Sequence, residues 1–313
     1  MPLQTDSQDD IRYLAVKRQI DDRSLSRSVW RKLHDHLRQA KRRRPLAVIE
    51  MGGGIGTMFE RVLDWALTPR LQYTLIEANR AYLDEFESRI EHLPYIKAGS
   101  QKLFQGQAPS GVTFTLKALC ADIYTVIGDP KLFYRWDVVM AHAVMDLVNI
   151  PKTLHGFQRL LRPGGLLYLT LNYDGLSCFL PPWEPEFEMI LVSRYHRSMD
   201  HRIIEGRSSG SSQSGRRLIQ HLLSAKLPLI AVGNSDWIVV PQDGGYPRGE
   251  AFFLETIIHT IERQLQQDST VDQCKLAQWA KHRITQVAAG ELIFMARNLD
   301  ILCASTSGEP SLE

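Results

Sequence analysis

The chain has 313 residues, 44% of them hydrophobic, enough to bury a large core in one or two domains. A formal charge of +2 excludes the global basic field of a dedicated nucleic-acid binder, and the scattered Cys120, Cys178, Cys274 and Cys303 form no Cys-x-x-Cys pair, against structural zinc or a disulfide framework. No apolar run approaches a membrane span and the polar, acidic start Met1–Asp10 is unlike a signal peptide, so a soluble cytoplasmic protein is expected.

Residues 1–10 and the tail 305–313 lack hydrophobic anchors and are expected to be mobile. Residues 11–40 carry apolar positions at helical spacing (Ile11, Leu14, Ala15, then Leu25, Val29, Trp30, Leu33, Leu37), with a break near Asp21–Ser24. The basic run Lys41–Arg44 reads as a solvated helix end. From Ala47 short apolar runs alternate with helices, the pattern of a parallel sheet covered on both faces. Strands are predicted at Ala47–Met51, Tyr73–Ile76, Thr113–Ala118, Trp136–Met140 and Gly165–Leu171, and helices near Met58–Ala66, Arg80–His92 and Lys152–Leu161. After Tyr173 comes an aromatic, proline-rich insert, Phe179 to Arg217, whose Arg207–Gly215 stretch reads as flexible: a mobile gate or a plain surface loop. A long strand at Leu229–Val240, helices at Glu250–Gln266 and Cys274–Ala288, and a last strand at Glu291–Leu302 follow. That close fits an antiparallel hairpin of strands at the sheet edge.

The chemistry concentrates where the first strand ends. Val48-Ile49-Glu50-Met51 runs into Gly52-Gly53-Gly54-Ile55-Gly56 and then a helix. Glycines let the backbone adopt conformations closed to other residues and let a ligand lie against it. A dinucleotide fingerprint needs its third glycine at the sixth position, which is Thr57; here the third comes early, at Gly56. The pattern is Glu-x-Gly-x-Gly-x-Gly.

This motif resembles the first motif of the class I S-adenosylmethionine (SAM) dependent methyltransferases. The likeness extends by motif from Ala47 to Tyr173 and beyond that by strand order, and includes Leu161-Arg162-Pro163-Gly164-Gly165 before the fifth strand. It implies a doubly wound, seven-stranded, mostly parallel α/β sheet of Rossmann-like type, with an N-terminal helical cap (1–44), a cofactor-binding domain (45–304) and a lid-like insert (174–220). It implies that Gly52, Gly54 and Gly56 hold the methionine and ribose part of SAM, and that Glu50 faces the methionine ammonium. Glu77, with Ala78 beside it, would take the ribose hydroxyls; Asp122 would take the adenine amino group, with Ile123 flanking the ring. Ala141 and His142 at the fourth strand tip would meet both cofactor and acceptor, and Arg23 would reach the cofactor carboxylate.

Absent motifs narrow the substrate. Ala141-His142-Ala143-Val144 replaces the Asp/Asn-Pro-Pro-Tyr/Phe of nucleic-acid amino methylation, no cysteine follows a proline, and the carboxylates a catechol-type magnesium site needs are missing, so no metal is expected. Methyl transfer from a sulfonium asks the protein chiefly to orient the nucleophile and remove its proton. Histidine suits that task, which makes His142 the candidate base, with Tyr173 as a second catalytic candidate. His142 as a pocket-lining residue without proton transfer is the other reading. Asn172, Trp183, Tyr195, His196, Asp236 and Trp237 are the candidate acceptor contacts, a mix of aromatic faces and hydrogen-bonding groups such as lines small-ligand pockets. The expected activity is methyl transfer to an O, N or C atom of a small metabolite, giving S-adenosylhomocysteine; a NAD(P)-dependent oxidoreductase or a catalytically silent binding protein are the rivals. Partners are expected to be a small-molecule substrate without nucleic acid or membrane, and a homodimer is allowed.

Overall fold

The computed structural model describes residues 7–40, 42–99, 103–204 and 207–305. Two helices, α1 (Ser7–Ser24) and α2 (Arg27–Gln39), precede the alternating part. That part runs β1 (Leu46–Met51), α3 (Thr57–Asp64), β2 (Arg70–Glu77), α4 (Arg80–Glu91), β3 (Ile96–Ala98), β4 (Leu103–Gln107), β5 (Thr113–Cys120), α5 (Ile123–Gly128), β6 (Trp136–His142), α6 (Ile150–Leu160) and β7 (Leu161–Leu180). The insert holds α7 (Pro185–Asp200), the short hairpin β8 (Ile203–Ile204) and β9 (Arg207–Ser208), and α8 (Ser214–Ser224). The chain closes with β10 (Leu229–Asn234), β11 (Trp237–Val239), α9 (Glu250–Leu265), α10 (Gln273–Ala288) and β12 (Ile293–Ala304).

β1 is buried at every position because it lies mid-sheet with both faces covered. Its parallel neighbours are β2 and β6, and β5 and β7 extend the parallel set on either side. Local chemistry starts the helices: Asn79, Asp122, Asn149 and Asp272 each accept backbone N–H groups as N-caps of α4, α5, α6 and α10. One face of the sheet packs Val48, Tyr73, Met140 and Tyr168 against α2, α3 and α4. The other packs Ile49, Val139 and Leu169 against α6 and α8. A third cluster joins the outer half of β7 to α7, α9 and α10 through Phe179, Leu191, Phe253 and Trp279.

The sheet differs from the expected seven strands. Its path is β10-β12-β7-β6-β1-β2-β5-β4-β3, with β11 also paired to β12, ten strands in all. The seven-strand core is there; β3, β4 and β11 are additions. The β3–β4 hairpin was hidden in a stretch of weak alternation, where Phe104 is buried while Leu103 stays 43% exposed. The closing strands form the expected antiparallel pair at the sheet edge: β12 runs antiparallel to the edge strand β10 on one side and to β7 on the other, and apolar Ile301 and Leu302 are buried there. The strand expected at Leu229–Val240 divides into β10 and β11, because Ser235 and Asp236 turn the chain and the Asp236 carboxylate accepts the Asn298 N–H at 3.0 Å.

The first helix runs on to Ser24, past the expected break, and the turn falls at Leu25–Ser26, where the Ser26 N–H donates to the buried Asp300 carboxylate at 2.7 Å. Of the residues expected to be mobile, Ser7–Asp10 form the first turn of α1 and Ser305 N–H donates to the Gly165 carbonyl; residues 1–6 and 306–313 lie outside the described set. Of the basic run, Lys41 also lies outside it. Arg44, though exposed, forms a two-point pair with Asp137 at the start of β6, at 2.5 and 2.6 Å, so this run also ties the cap to the sheet.

Candidate active site

The glycine turn sits at the C-terminal end of β1, where open α/β sheets bind ligands. Gly52, Gly54 and Gly56 take φ values of 68°, 54° and 81°, the left-handed region that other residues enter at a cost. Space is also closed to side chains: a methyl on Gly56 would strike the Phe86 ring, and one on Gly52 would lie 2.6 Å from Val144. The turn is pinned from the next strand. Glu77, at the end of β2, accepts the Gly54 N–H at 2.7 Å and the Asn79 N–H at 2.8 Å. Burial raises its pKa, against the smaller lowering effects of the Asn79, Gly54 and Ala78 N–H groups.

Glu50 lies beneath the turn, 1% exposed, accepting the Tyr73 hydroxyl at 2.8 Å. Burial lifts its pKa to about 8, against the smaller lowering effects of that hydrogen bond and of Arg61. Ala78 is exposed beside Glu77; Asp122 is exposed too and holds the Tyr124 N–H at 2.7 Å. Ile123 is partly buried against the core, and Ala141 is buried in the sheet.

The first helix closes the cleft. Leu14 of α1 comes within 3.8 Å of the point where a Gly54 side chain would start. Two turns on, the Asp21 carboxylate gathers four partners: Lys17 at 2.6 Å, His142 at 3.2 Å, the Trp237 indole N–H at 3.0 Å and Arg61 at 3.7 Å. Asp21 is held well below the usual carboxylate range, because Lys17, His142 and Arg61 outweigh its burial. Both nitrogens of His142 are engaged: Nδ1 with Thr170 Oγ1 at 2.8 Å, and Nε2 with Asp21 and with Arg61 at 3.1 Å. Burial, then Arg61, lowers its pKa to about 4, so the ring is neutral near pH 7. Strain collects at the same strand ends, where Ala143 and Leu171 take φ values of 55° and 53°.

Several sequence candidates sit elsewhere. Arg23 pairs with Glu250 of α9 and donates to the Ile238 carbonyl, because its position in α1 faces β11 and α9 rather than the glycine turn. Asn172 is fully buried and its amide N–H group donates to the Leu169 and Leu299 carbonyls, spanning the irregular register between β7 and β12. Asp236 closes the turn described above. Trp183 stacks on His282 of α10, and its N–H donates to Glu188, which also receives the Arg283 guanidinium and the Trp279 indole; this anchors α7 to α10. Trp237 does reach the site, through Asp21. The Tyr173 hydroxyl sits between Ser177 Oγ at 2.8 Å and His196 Nε2 at 2.6 Å. These two partners face a groove of about 780 Å³ between the outer half of β7 and α7, walled by Leu176, Phe179, Met189 and Val192.

From Ser209 on, the serine-rich stretch is packed into the protein rather than lying on its surface. Ser209, Ser211, Ser212 and Ser214 are buried, and the Asp200 carboxylate accepts the Ser212 N–H at 2.8 Å together with the Ser211 and Ser212 hydroxyls. Sequence reading also passed over Lys17, Asp21 and Arg61 as site residues. The charge density at 17–23 was a signal, but which of those side chains turns inward depends on how α1 docks.

No group of three or more His, Cys, Asp or Glu among the described residues is placed to hold a metal. No helix among them is long and apolar enough to cross a membrane.

The strand order, the crossover helices on both faces and the glycine turn at the carboxyl end of β1 put the chain in the doubly wound, Rossmann-like α/β class. No family model and no curated protein matches it. Among solved structures it is similar to a presumptive methyltransferase of Bacillus halodurans C-125, at 14% identity and a TM-score of 0.49 over 88% of this chain and 98% of that one. It is similar to geranyl diphosphate C-methyltransferase of Streptomyces coelicolor A3(2), at 11% identity and a TM-score of 0.42 over 89% and 80% of the two chains. It is also similar to a cyclopropane synthase of Mycobacterium tuberculosis, at 9% identity and a TM-score of 0.43 over 87% and 82%. At such identities the chemistry of this chain rests on its own residues.

Proposed function

We propose that the chain is a cytoplasmic SAM-dependent methyltransferase acting on an O, N or C atom of a small metabolite. One observation carries the reading: two buried carboxylates, Glu50 and Glu77, flank a positive-φ glycine turn, while the buried Arg61, whose charge acts on Glu50, is paired with Asp21 and Asp22. A dinucleotide would bring a pyrophosphate into that acidic surround. A cationic amino-acid cofactor suits it.

The residues fit SAM. Gly52 and Gly56 admit no side chain, which keeps the turn tight; Glu77 would take the ribose hydroxyls, Glu50 the ammonium and Asp122 the adenine amino group. When bound, the cofactor supplies an electrophilic methyl group. The cap α1–α2 covers the cleft, and the insert 174–220 walls the acceptor side. His142, with both nitrogens engaged and its pKa lowered, acts by holding α1 against the tips of β6 and β7 rather than as a base. Tyr173 and His196 form a hydrogen-bonded pair between the groove and the strand ends.

Calorimetric titration of the purified chain with S-adenosylhomocysteine and with NAD tests this. Binding of the former with an affinity at least tenfold higher is expected; tighter NAD binding would replace the reading with the oxidoreductase one. Incubation with labelled SAM and a deproteinised metabolite extract should yield a labelled small molecule, and no product would favour a silent binding protein.

A further inference from the structure

Among the described residues, three buried polar atoms beyond the tip of β6 have no hydrogen-bond partner: Oδ1 of Asp146, Nη1 of Arg202 and Oγ of Ser209. They come from separate stretches. Asp146 lies in the loop from β6 to α6, Arg202 just after α7, and Ser209 just after β9. The backbone draws these stretches together. Ser209 N–H donates to the Arg202 carbonyl at 3.0 Å, and Gly210 N–H donates to the Val148 carbonyl at 3.3 Å. Gly210 takes a φ of 79°; a side chain there would strike the Asp146 carbonyl and begin 3.6 Å from Arg202 Nη1.

The loop that carries Asp146 also lines the glycine turn, since Val144 lies against Gly52. The charge of Asp146 acts on the phenols of Tyr13 in α1 and Tyr195 in α7, and that of Arg202 acts on Tyr195 and on Asp146. The set therefore stands between the cap, the lid and the cofactor cleft. Buried polar groups are almost always hydrogen-bonded, and leaving one unmatched costs stability. Three unmatched atoms at one place, a cation, a carboxylate and a hydroxyl, describe the complement of a ligand.

We propose that Asp146, Arg202 and Ser209 form the recognition subsite for the methyl acceptor, and that the acceptor is a small hydroxy acid or amino acid. Arg202 and Ser209 donate to its anionic oxygen. Asp146 accepts from its O–H or N–H, which fixes the orientation of that group. Planar donors of arginine match carboxylate geometry, and a lone hydrocarbon would leave all three groups unsatisfied. The inference rests on the methyltransferase reading above.

The test uses the full chain and its variants Ser209→Ala and the double change Asp146→Leu with Arg202→Met, which removes both charges together. Without ligand, both variants are expected to melt at the wild-type temperature or a few degrees above it, because each deletes a buried atom with no hydrogen-bond partner and the double change removes the two opposite charges together. A clear fall in Tm in both would show that these groups are matched inside the protein, and would overturn the proposal. With labelled SAM and a deproteinised metabolite extract, the double variant should lose at least 100-fold in methyl transfer while binding S-adenosylhomocysteine within threefold of wild type. Transfer within threefold of wild type would equally overturn it. The wild-type product should carry a free carboxylate, shown by its conversion to a methyl ester in acidic methanol; a product without a carboxylate would refute the assigned acceptor class. Failure of the wild type to bind S-adenosylhomocysteine at all would instead sink the methyltransferase reading.

Discussion

The Asp21 carboxylate of α1 stands 3.2 Å from Nε2 of His142 at the tip of β6, in a cluster with Lys17 and Arg61 that is almost wholly shielded from solvent. The contact makes the N-terminal helix a wall of the site. It also ties the docking of that helix to two ionisation states that must be held together, an ionised Asp21 and a neutral His142.

The His142 shift has a definite pH signature. Its folded pKa, about 4, lies below the ordinary histidine value of 6.5, so between those two values the unfolded chain binds more protons than the native one. Stability contributed by the neutral ring is complete above that window and is lost as pH falls through it. Asp21 acts in the same direction at lower pH, its lowered pKa giving stability that disappears on acidification. His142→Gln should therefore be destabilised at pH 7 by about 2 kcal/mol, with the gap to wild type closing towards pH 4.5. Urea unfolding at the two pH values measures this; a gap independent of pH would show that the ring does not titrate abnormally.

Glu50 works in the opposite sense. Its pKa is raised to about 8, so from roughly pH 4.5 upward the native state binds more protons than the unfolded one, and stability drains away as pH rises to that value. Glu50→Gln, which can still accept from Tyr73, should be more stable than wild type at pH 8 by about 2–4 kcal/mol and equal to it near pH 5. Cofactor binding adds a second readout. An ammonium beside Glu50 favours its ionised form, so S-adenosylhomocysteine should release close to one proton at pH 7. Calorimetry in phosphate and Tris would register different enthalpies for wild type and equal ones for the variant.

Glu77→Ala should weaken S-adenosylhomocysteine binding by about 1–3 kcal/mol, the scale of hydrogen bonds to a charged group. The same change frees the Gly54 and Asn79 N–H groups, so a modest fall in Tm is expected with it. Unchanged affinity would place the ribose elsewhere.

Tyr173→Phe removes the hydroxyl shared by Ser177 and His196. Turnover on the labelled acceptor should fall, with S-adenosylhomocysteine affinity staying within about tenfold, or 1.4 kcal/mol. Turnover equal to wild type would separate the groove from the reaction.

What was legible in the sequence is what local periodicity and turn chemistry encode. The strand of β1, the turn at Gly52–Gly56, the acid after β2 and the capped helices α4 and α6 all follow from residues a few positions apart, whose geometry no distant contact need supply. The parallel order of the first five core strands follows from that alternation. Other features depended on long-range packing. Only the docking of α1 decides that Asp21 turns inward to His142 while Arg23, two residues on, turns to Glu250, because a helix distributes neighbours over different faces. Only the entry of β12 between β7 and β10 buries Asn172 in the sheet instead of leaving it at a pocket wall. The serine run looks flexible by composition, yet Asp200 organises it and, with it, the position of Ser209 beside Arg202 and Asp146. Those side chains lie far apart in the chain, and pattern alone carries no record of which charge will find which partner once both are removed from water.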